Sequence, residues 1–282
     1  MIKEIKSSDN KLIKLIASLK KKSKRDKSGL FIAEGLRLCE ESLAFPSRIK
    51  YIIVSDSFYE KRPDFGSAFV FASKDNSGCN APHNLHSDLS NHAASERNLY
   101  KIPDALFSKI SDTETPQGVM SIIEIDHPSS TVLSSNVLIL DGVSEPGNMG
   151  TILRTADAMG FSDVFITKGS ADCYSPKTVR STMGSIFRLN LHIAENTDFL
   201  RKLKNDGYFI VSAALSNAAP LEDVLPKAKN AIVIGNEANG ISNEVLLLSD
   251  KCARIEMKGN TESLNAAVAA GIMMYKFSQR RI

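Results

Sequence analysis

The sequence predicts an α/β protein of two domains, the second of which holds a mostly parallel sheet covered by helices on both faces. The first observation is alternation, since after residue 136 short apolar runs rich in β-branched residues take turns with stretches of helical spacing. The second is that glycines, Gly160 and Gly207, follow two of these helical stretches and are typical of helix C-termini. The third is length, because 282 residues are enough for two domains of ordinary size. Parallel strands need crossover helices between them, so the alternation predicts a parallel sheet.

The first predicted domain covers residues 1–126 and begins with a helix in "NKLIKLIASLKKK". Apolar residues recur there at helical spacing, and lysines occupy the other side. "GLFIAEGLRLCEESLAF" passes from a short strand into a helix, and β-branched and aromatic content predicts strands in "IKYIIVSD", "AFVFAS" and "TPQGVMSIIEID". The Pro/Ser-rich stretch "HPSSTVLSSN" then predicts a linker over residues 127–136.

The second predicted domain, residues 137–282, is more regular. Strands are predicted, in order, in "NVLILD", "DVFIT", "LNLHIA", "YFIVSAAL", "AIVIG" and "CARIEM". Between them we expect helices at residues 151–159, in "SPKTVRSTMGSIF" with Ser175 as N-cap and Pro176 at the first position, and in "NTDFLRKLKNDG" and "SNEVLLLS". "PLEDVL" predicts a short helix or turn, and the chain ends in a long helix, "SLNAAVAAGIMMYKFSQ".

Charge and cysteine content narrow the functional class. The net charge is only +3, yet "KKKSKRDKSG" concentrates lysine and arginine in one segment, which is typical of a solvated face or a polyanion contact. The four cysteines form no C-x-x-C pair and the histidines no metal spacing, so neither a disulfide framework nor a metal site is predicted. The sequence shows no signal peptide and no apolar run near the length of a membrane span. These observations predict a cytoplasmic protein without a membrane partner.

The stretch "DGVSEPGNMGTILRTADAMG" follows the strand "NVLIL" and is the first candidate site. Glycine-rich turns after a strand are where α/β proteins place nucleotides, but this one is neither G-x-G-x-x-G nor a phosphate loop. Asn148 suits a tight turn, because asparagine tolerates left-handed backbone angles. Arg154 points away from the apolar face of the following helix. It either forms a surface ion pair with Asp157 or reaches a phosphate with its planar guanidinium, and this segment alone leaves both open.

A second glycine-rich turn follows the strand in "AIVIGNEANGIS". Gly235 permits close approach of a ligand to the backbone, and Glu237 can bind a cation, a hydroxyl or an arginine. An incidental acid in a glycine turn is the alternative. Ile241-Ser242 stands where a Walker loop needs Lys-Ser/Thr, which excludes that motif.

A third turn lies in "RIEMKGNTESLNAAVAAGIMM". Ser263 or Thr261 is the predicted N-cap of the last helix, with Asn265 in its first turn. That helix is rich in alanine and methionine nearly all round, which indicates protein core or an oligomer interface rather than a cofactor site.

Together, "PGNMGTILRTADAMG", "IGNEANGIS" and "IEMKGNTESLNAAVAAG" resemble, in order and in distance apart, the three motifs of the SPOUT superfamily, SpoU/TrmH branch, of RNA ribose 2′-O-methyltransferases. The resemblance runs from residue 136 to the C-terminus, and "SPKTVRSTMGSIFRL" is similar to the segment between the first two motifs. More loosely, "SSDNKLIKLIASLKKKSKRDKSGLFIAEGLRL" resembles the start of an L30e-like substrate-binding domain. The resemblance implies a SPOUT-type parallel sheet with a C-terminal trefoil knot, S-adenosylmethionine as methyl donor, RNA as partner, a homodimer and no metal.

The resemblance also implies roles for particular residues. Arg154 matches the family's catalytic arginine, and the surrounding polar positions are Asn148, Glu237, Ser263 and Asn265. The methyl donor would be contacted, largely through the backbone, by Gly235, Asn236, Ile255, Leu264 and the turn near Leu215. For RNA contact we expect Lys22, Arg25, Lys27, Arg37 and Arg180. Glu256 stands where the family commonly has proline and Ala238 where it commonly has glycine, departures that concern local backbone shape rather than chemistry.

We interpret the first turn and Arg154 as gripping the RNA backbone beside the methyl donor. The sulfonium already carries a leaving group, so the enzyme must align the ribose and remove the 2′-hydroxyl proton. Arginine is a difficult base because its pKa exceeds about 12. We therefore favour Arg154 positioning the ribose phosphate and helping deprotonation through it, and a direct arginine base stays open.

Other functions stay open as alternatives. RNA base methylation is the nearest, although the pairing of "GNE" with "SLN" favours ribose. A non-catalytic RNA-binding protein is disfavoured because all polar motif positions are retained, and a dehydrogenase because G-x-G-x-x-G is missing. Ribosomal RNA is the favoured target, on the L30e-like resemblance alone, and transfer RNA is the alternative.

Overall fold

The computed structural model describes residues 2–63, 65, 98–128 and 132–279. The chain divides into two compact units, which are Met1–Ile125 with Tyr174–Pro176, and Asp126–Cys173 with Lys177–Ile282. Both units are α/β, which confirms the predicted class. The predicted strand "AFVFAS" and residues 129–131 of the predicted linker lie outside the described residues, and the predicted domain limits stay predictions.

The first unit contains a mixed sheet with short helices around it. Its described strands are β1 Lys3–Glu4, β2 Leu30–Glu34, β3 Ile49–Ser55, β4 Asn98–Ile102 and β5 Val119–Glu124, in the spatial order β1-β4-β3-β5-β2. Its described helices are α1 Lys11–Ser18, α2 Lys22–Ser28, α3 Leu36–Ser42, α4 Asp56–Lys61 and α5 Asp104–Ile110, with a 3₁₀ turn at Pro46–Arg48. Because β5 runs antiparallel to both β2 and β3, and β3 is parallel to β4, the strands β2, β3 and β4 end at the same edge.

The predicted amphipathic helix near the N-terminus is confirmed as α1. Asn10 begins it, because its side chain accepts a hydrogen bond from the Leu12 N–H at 2.8 Å. Ile13 and Ile16 are buried in the core of this unit, three residues apart on one face. Gly29 ends α2 with φ at 64°, a left-handed conformation that glycine adopts without a steric penalty.

The second unit contains a seven-stranded sheet in which every described pair is parallel, as the alternation predicts. Its strands are β6 Asn136–Asp141, β7 Asp163–Thr167, β8 Asn190–Ala194, β9 Phe209–Ala213, β10 Ala219–Pro220, β11 Asn230–Gly235 and β12 Lys251–Arg254, in the order β10-β12-β9-β11-β6-β7-β8. The described helices are α6 Pro146–Ala158, α7 Pro176–Thr182, α8 Asp198–Asn205, α9 Asn243–Leu248 and α10 Ala266–Ser278. The trefoil knot implied by the resemblance stays a prediction.

Some predicted boundaries in this unit were wrong. The single helix predicted in "SPKTVRSTMGSIF" is broken after α7, because Met183 and Gly184 both have left-handed backbone angles, and only a 3₁₀ turn, Ser185–Phe187, follows. The strand predicted in "CARIEM" stops at Arg254, since its partner β9 ends at Ala213 and offers no further backbone groups to pair with. "PLEDVL" contains a 3₁₀ turn, Leu221–Asp223, as expected of a short helix or turn.

The sheet has a switch point that positions the candidate site. The chain leaves β6 toward β7 and β8 on one side, while β11 lies on the other side of β6. The register pairs Gly235 with Asp141, so both strands end at the same level. In open α/β sheets, ligands bind outside the carboxyl ends of the strands at such a switch point.

Candidate functional site

The loops after β6 and β11 are joined by buried or half-buried polar side chains. The Asp141 carboxylate, at the end of β6, accepts hydrogen bonds from the Thr167 hydroxyl at 2.9 Å and from the Ser242 N–H at 2.7 Å. The Asn236 side-chain amide, after β11, donates to the Gly142 carbonyl at 2.8 Å. These bonds fix the loops that carry the first and second glycine-rich turns against each other.

The helix after β6 begins earlier than the sequence predicts. We expected a turn through Asn148 and a helix from residue 151, but α6 starts at Pro146 and Asn148 lies in its first turn. Glu145 is the N-cap, and its carboxylate accepts from the Asn148 N–H at 2.6 Å, while Pro146 takes the position where no N–H is needed. Lys177 donates to Glu145 at 2.9 Å, which together with the cap bonds holds the pKa of Glu145 below its usual range.

Glu237 binds the start of α6 with both carboxylate oxygens. One oxygen accepts from the Ser144 N–H at 3.0 Å and hydroxyl at 2.9 Å, and the other from the Glu145 N–H at 3.3 Å and the Asn148 side-chain amide at 2.9 Å. Partial burial acts to raise the pKa of Glu237, but these hydrogen bonds, above all that from Asn148, outweigh burial and lower it to about 2. Glu237 is therefore ionised at neutral pH and acts as an acceptor.

Asn148 extends this connection to the last helix. Its amide donates to Glu237, and its carbonyl oxygen accepts from the Asn265 side-chain amide at 3.0 Å. Asn265 is also the N-cap of α10, since its carbonyl oxygen accepts from the Ala267 N–H at 2.9 Å. The predicted caps Ser263 and Thr261 were therefore wrong. The chain Glu237–Asn148–Asn265 joins all three segments that the sequence singled out.

Contacts within the loop after β11, rather than a ligand, account for its tight turn. A side chain at Gly235 would lie 2.5 Å from the backbone of Gly240. Glycine is therefore needed at position 235 for the loop to fold back against the end of β11. The Asn236 side chain accepts from the N–H groups of Ala238 and Asn239, both at 2.9 Å, and closes the turn. Alanine at 238, where the resemblance gave glycine, is accommodated with φ outside the left-handed region.

Arg154 differs from the residues around it because it makes no hydrogen bond or ion pair within the described part of the chain. The alternative partner considered from the sequence, Asp157, instead accepts from Arg188 Nε at 2.8 Å. The surface ion pair between Arg154 and Asp157 is therefore not formed. An exposed guanidinium on the helix that carries Asn148 is left with all its donors available for an anion.

The residues expected at the methyl donor have different surroundings. Ile255 and Leu264 are half-buried, while Leu215, after β9, is 60% exposed. Ile255 also lines a cavity of about 450 Å³ with Ile272 and Tyr275 of α10. Ser263 is exposed and makes no hydrogen bond with the described residues.

The predicted RNA-contacting residues differ in their exposure to solvent. Lys22, Lys27 and Arg37 are exposed, on α2 and α3. Arg25 does not fit the prediction, because only 3% of it is exposed and its guanidinium donates to the Leu19 carbonyl at 2.5 Å. Arg25 thus stabilises the turn before α2. Arg180, on α7, is half-buried.

Several residues of the site escaped the sequence prediction. Ser144, Glu145 and Lys177 all contact the network around Glu237, and Asp141 holds the strand end. A signal for Glu145 existed, since an acceptor directly before proline is typical of a helix start. Lys177 had no such signal, because 32 residues separate it from Glu145.

The described residues provide neither a cluster of metal ligands nor a membrane-spanning helix. Within the described part of the chain, no group of three or more His, Cys, Asp or Glu side chains lies close enough together to hold a metal ion. No described helix combines the length and the apolar character needed to cross a bilayer.

Comparison with known proteins identifies relatives for both units. Residues 135–275 match the SpoU rRNA Methylase family, and residues 10–121 match the MRM3-like substrate binding domain. The chain is 31% identical over 274 residues, 97% of its length and 98% of the relative's, to the 23S rRNA (guanosine(2553)-2′-O)-methyltransferase RlmP of Bacillus subtilis.

Solved structures resemble the chain over nearly its whole length. The AdoMet-bound rRNA methyltransferase from Sinorhizobium meliloti has a TM-score of 0.80 at 27% identity, covering 98% of this chain and 97% of that one. The SpoU methyltransferase AviRb from Streptomyces viridochromogenes shares the fold, with a TM-score of 0.74 at 22% identity over 95% and 96% of the two chains.

Proposed function

The chain belongs to the SpoU rRNA methylase family, and we propose that it transfers a methyl group from S-adenosylmethionine to a ribose 2′-hydroxyl of ribosomal RNA. The observation that carries this proposal is the chain Glu237–Asn148–Asn265, which joins three separate segments beside Arg154, an arginine without a partner among the described residues. Such a polar network with one free cation fits the positioning of an anionic substrate.

The residues around the switch point suit S-adenosylmethionine. The exposed Leu215 and the half-buried Ile255 and Leu264 provide apolar surface for an adenine and a methionine chain, and the loop from Gly235 supplies backbone groups. When bound, the sulfonium supplies a methyl group that is already attached to a good leaving group. The reaction forms an oxygen–carbon bond at the ribose, breaks a sulfur–carbon bond, and releases the 2′-hydroxyl proton, so no metal is required.

Arg154 positions the ribose phosphate in this proposal. Its planar guanidinium presents donors that match phosphate geometry. A phosphate held there favours loss of the neighbouring 2′-hydroxyl proton, while a direct arginine base is the alternative. The hydrogen bonds from Glu237 and Asn265 to Asn148 fix the first turn of α6 and therefore the helix that carries Arg154.

Ribosomal RNA is proposed as the substrate because the names of the Bacillus subtilis and Sinorhizobium meliloti relatives give rRNA as their substrate, and both relatives align with nearly the whole chain. Transfer RNA is the alternative. The first unit would bind the RNA, through exposed side chains such as Lys22, Lys27 and Arg37. For this substrate we propose a cytoplasmic location, in keeping with the unoxidised thiols of Cys39 and Cys252. We further propose a homodimer, supported by exposed apolar residues on α10.

A methyl-transfer assay tests the proposal. Purified protein and S-adenosylmethionine with a tritiated methyl group are offered ribosomal RNA and transfer RNA separately, and 2′-O-methyl sites are mapped in the product. Arg154→Ala is expected to lower the rate about a hundredfold or more while calorimetric affinity for S-adenosylmethionine stays near wild type. Arg201→Ala, which removes another exposed helical arginine, is the matched control. An active Arg154→Ala variant would overturn the role of Arg154, and methylation of transfer RNA alone would overturn the substrate.

A further inference from the structure

The first unit has a polar cavity at the edge of its sheet where β2, β3 and β4 end. The cavity measures about 650 Å³, within the range of small-ligand sites. Leu36 follows β2, Ser57 follows β3, Asp104 follows β4, and Gln117 precedes β5. The topology of the sheet thus brings together four segments that are distant in sequence.

The walls of this cavity combine apolar surface with cations. Leu36 and Pro116 supply aliphatic surface, and the buried rings of Phe58 and Phe107 also line the cavity. Lys61 and Arg62 supply positive charge from the end of α4. Lys61 is exposed and attracts the Asp104 carboxylate through space without a direct ion pair, whereas Arg62 lies 3.7 Å from Glu40, too far for a strong pair. Base surface and phosphate would both find complementary groups here.

The side chains of this cavity keep unused hydrogen-bonding groups of both kinds. One oxygen of Asp104 accepts from the Ser57 hydroxyl at 2.6 Å and from the Ser57 N–H at 3.4 Å, and the Ser55 side chain also donates to this carboxylate. A carboxylate has about four lone-pair sites, so Asp104 keeps capacity to accept one further hydrogen bond. Gln117 uses its carbonyl oxygen to accept from the Leu36 N–H at 2.8 Å, which leaves its amide as an open donor. Hydrogen bonding from Ser55 and Ser57 lowers the pKa of Asp104, so its remaining acceptor capacity belongs to a carboxylate.

We propose that this cavity binds one unpaired guanine nucleotide of the RNA substrate, with Asp104 accepting from the base and Lys61 contacting its phosphate. The inference deepens the proposed function and rests on it for the identity of the RNA. It makes Asp104 a specificity-determining residue of the first unit, remote from the methyl-transfer chemistry.

Guanine fits because of the donors and acceptors on its pairing edge. It presents two adjacent N–H donor groups and one carbonyl oxygen on this edge. Adenine, cytosine and uracil each present only one N–H donor group there, next to an acceptor. A carboxylate can only accept, and the open amide of Gln117 can only donate. A phosphate in the same place would be repelled by Asp104, so the carboxylate favours a base over a second phosphate.

The test measures binding of fluorescein-labelled pentaribonucleotides, with guanosine, inosine, adenosine, cytidine or uridine in the centre of a uridine sequence, to the full chain by fluorescence anisotropy. Wild type is expected to bind the guanosine pentamer about tenfold more tightly than the adenosine, cytidine and uridine pentamers. Inosine, which lacks the exocyclic amine, is expected between them. Equal affinity for all five would overturn the proposal.

Single variants distinguish the role of the Asp104 carboxylate in base preference from the nonspecific attraction of RNA by positive charge. Asp104→Asn is expected to abolish the guanosine preference, and Glu60→Gln, which removes an exposed carboxylate of α4 outside the cavity, to leave it unchanged. Lys61→Ala is expected to weaken all pentamers equally, with Lys109→Ala as its control. If Asp104→Asn does not fold, Gln117→Glu, which keeps an acceptor for the Leu36 N–H, is expected to lose the preference too.

The outcomes are distinguishable from those of the methyl-transfer assay because binding needs no chemistry. A guanosine preference that survives Asp104→Asn would overturn the role of the carboxylate. A chain that methylates ribosomal RNA but binds all pentamers equally contradicts this inference alone. A chain that prefers guanosine but methylates no RNA contradicts the proposed function alone.

Discussion

Arg188 Nε donates to the Asp157 carboxylate at 2.8 Å, and Asp157 lies three residues after Arg154 on α6. Residues three apart on a helix are neighbours, so Asp157 is the acid best placed to pair with Arg154. Arg188, which follows the 3₁₀ turn after α7, removes that competitor. The availability of Arg154 for a phosphate thus depends on a residue 34 positions further along the chain.

Removing Arg188 is therefore expected to lower activity indirectly. In Arg188→Ala the freed Asp157 can pair with Arg154, and a helical pair of about 0.5 kcal/mol would leave roughly a third of the arginine unpaired. We expect the turnover number to fall about two- to threefold, and the double variant Asp157→Asn/Arg188→Ala to regain wild-type turnover. Steady-state methyl transfer measures both. Equal turnover in Arg188→Ala and wild type would show that Asp157 does not compete for Arg154.

The depressed pKa of Glu237 predicts a pH-dependent stability. A carboxyl whose pKa is lower in the folded chain stabilises the fold above its unfolded value of 4.5, and this contribution is lost as pH falls toward the folded value of about 2. Glu237→Gln should therefore unfold at lower urea concentration than wild type at about pH 7, and the difference should shrink toward about pH 3. Glu244→Gln, at an exposed acid that makes no described hydrogen bond, is the control. A difference that is the same at both pH values would contradict the hydrogen-bonded carboxylate.

Asn265 has two functions that different substitutions separate. Asn265→Asp keeps the oxygen that caps α10 but replaces the amide that donates to Asn148, so stability should stay near wild type while turnover falls roughly three- to tenfold, the equivalent of one hydrogen bond. Asn265→Ala removes the cap as well and should cost about 1 kcal/mol of unfolding free energy. Denaturant unfolding and methyl transfer are measured together. Asn260→Asp, in the same loop, should change neither. Full activity of Asn265→Asp would contradict the connection to Asn148.

The sequence predicts which segments meet at this site but not how they are bonded. Apolar strands alternating with helices place the ends of β6 and β11 at one edge, and that much follows from chain direction alone. The bond from Asn265 to Asn148 spans 117 positions, and the pairing of Arg188 with Asp157 spans 31. Such pairs depend on the exact depth at which helices pack, which periodicity does not encode.

Arg25 shows the same limit in the first unit. Among consecutive basic residues, helical spacing alone does not reveal which one turns inward, and here the buried one is stabilised by the Leu19 carbonyl. The early start of α6 is a different case. The glutamate before Pro146 is typical of a helix N-terminus and could have predicted where α6 begins. Asn148 and the glycines on either side of it instead favoured a turn.

The basic residues of α2 and α3 are expected to set the salt dependence of RNA binding. Each phosphate neutralised contributes about 0.9 to the slope of log affinity against log salt for duplexes, and somewhat less for single strands. Lys22→Ala/Lys27→Ala/Arg37→Ala should flatten that slope by up to about two or three. Arg25→Ala should instead lower the unfolding free energy by about 1–3 kcal/mol, because it removes a buried donor from the Leu19 carbonyl. An unchanged slope in the triple variant would make this surface a solvated face.

The exposed face of α10 predicts the oligomeric state. Val268, Ile272 and Tyr275 are 51%, 39% and 58% exposed, and their spacing of four and three places them on one side of the helix. A continuous apolar stripe of this kind is typical of an interface, whereas a single exposed apolar residue is ordinary. We therefore expect sedimentation to give about twice the chain mass of 30.8 kDa at micromolar concentration.

Substitutions on and off the stripe test that expectation. Ile272→Glu places a charge in the middle of the stripe and should produce a monomer, because burying an unpaired carboxylate at an interface is strongly unfavourable. Leu247→Glu changes a leucine of α9 that is 85% exposed and stands outside the stripe, so the dimer should persist. If both variants sediment as the wild type does, α10 does not form the interface. If the wild type is itself a monomer, the apolar stripe must be covered by another partner, and methyl transfer by the monomer would show that one chain suffices for the site.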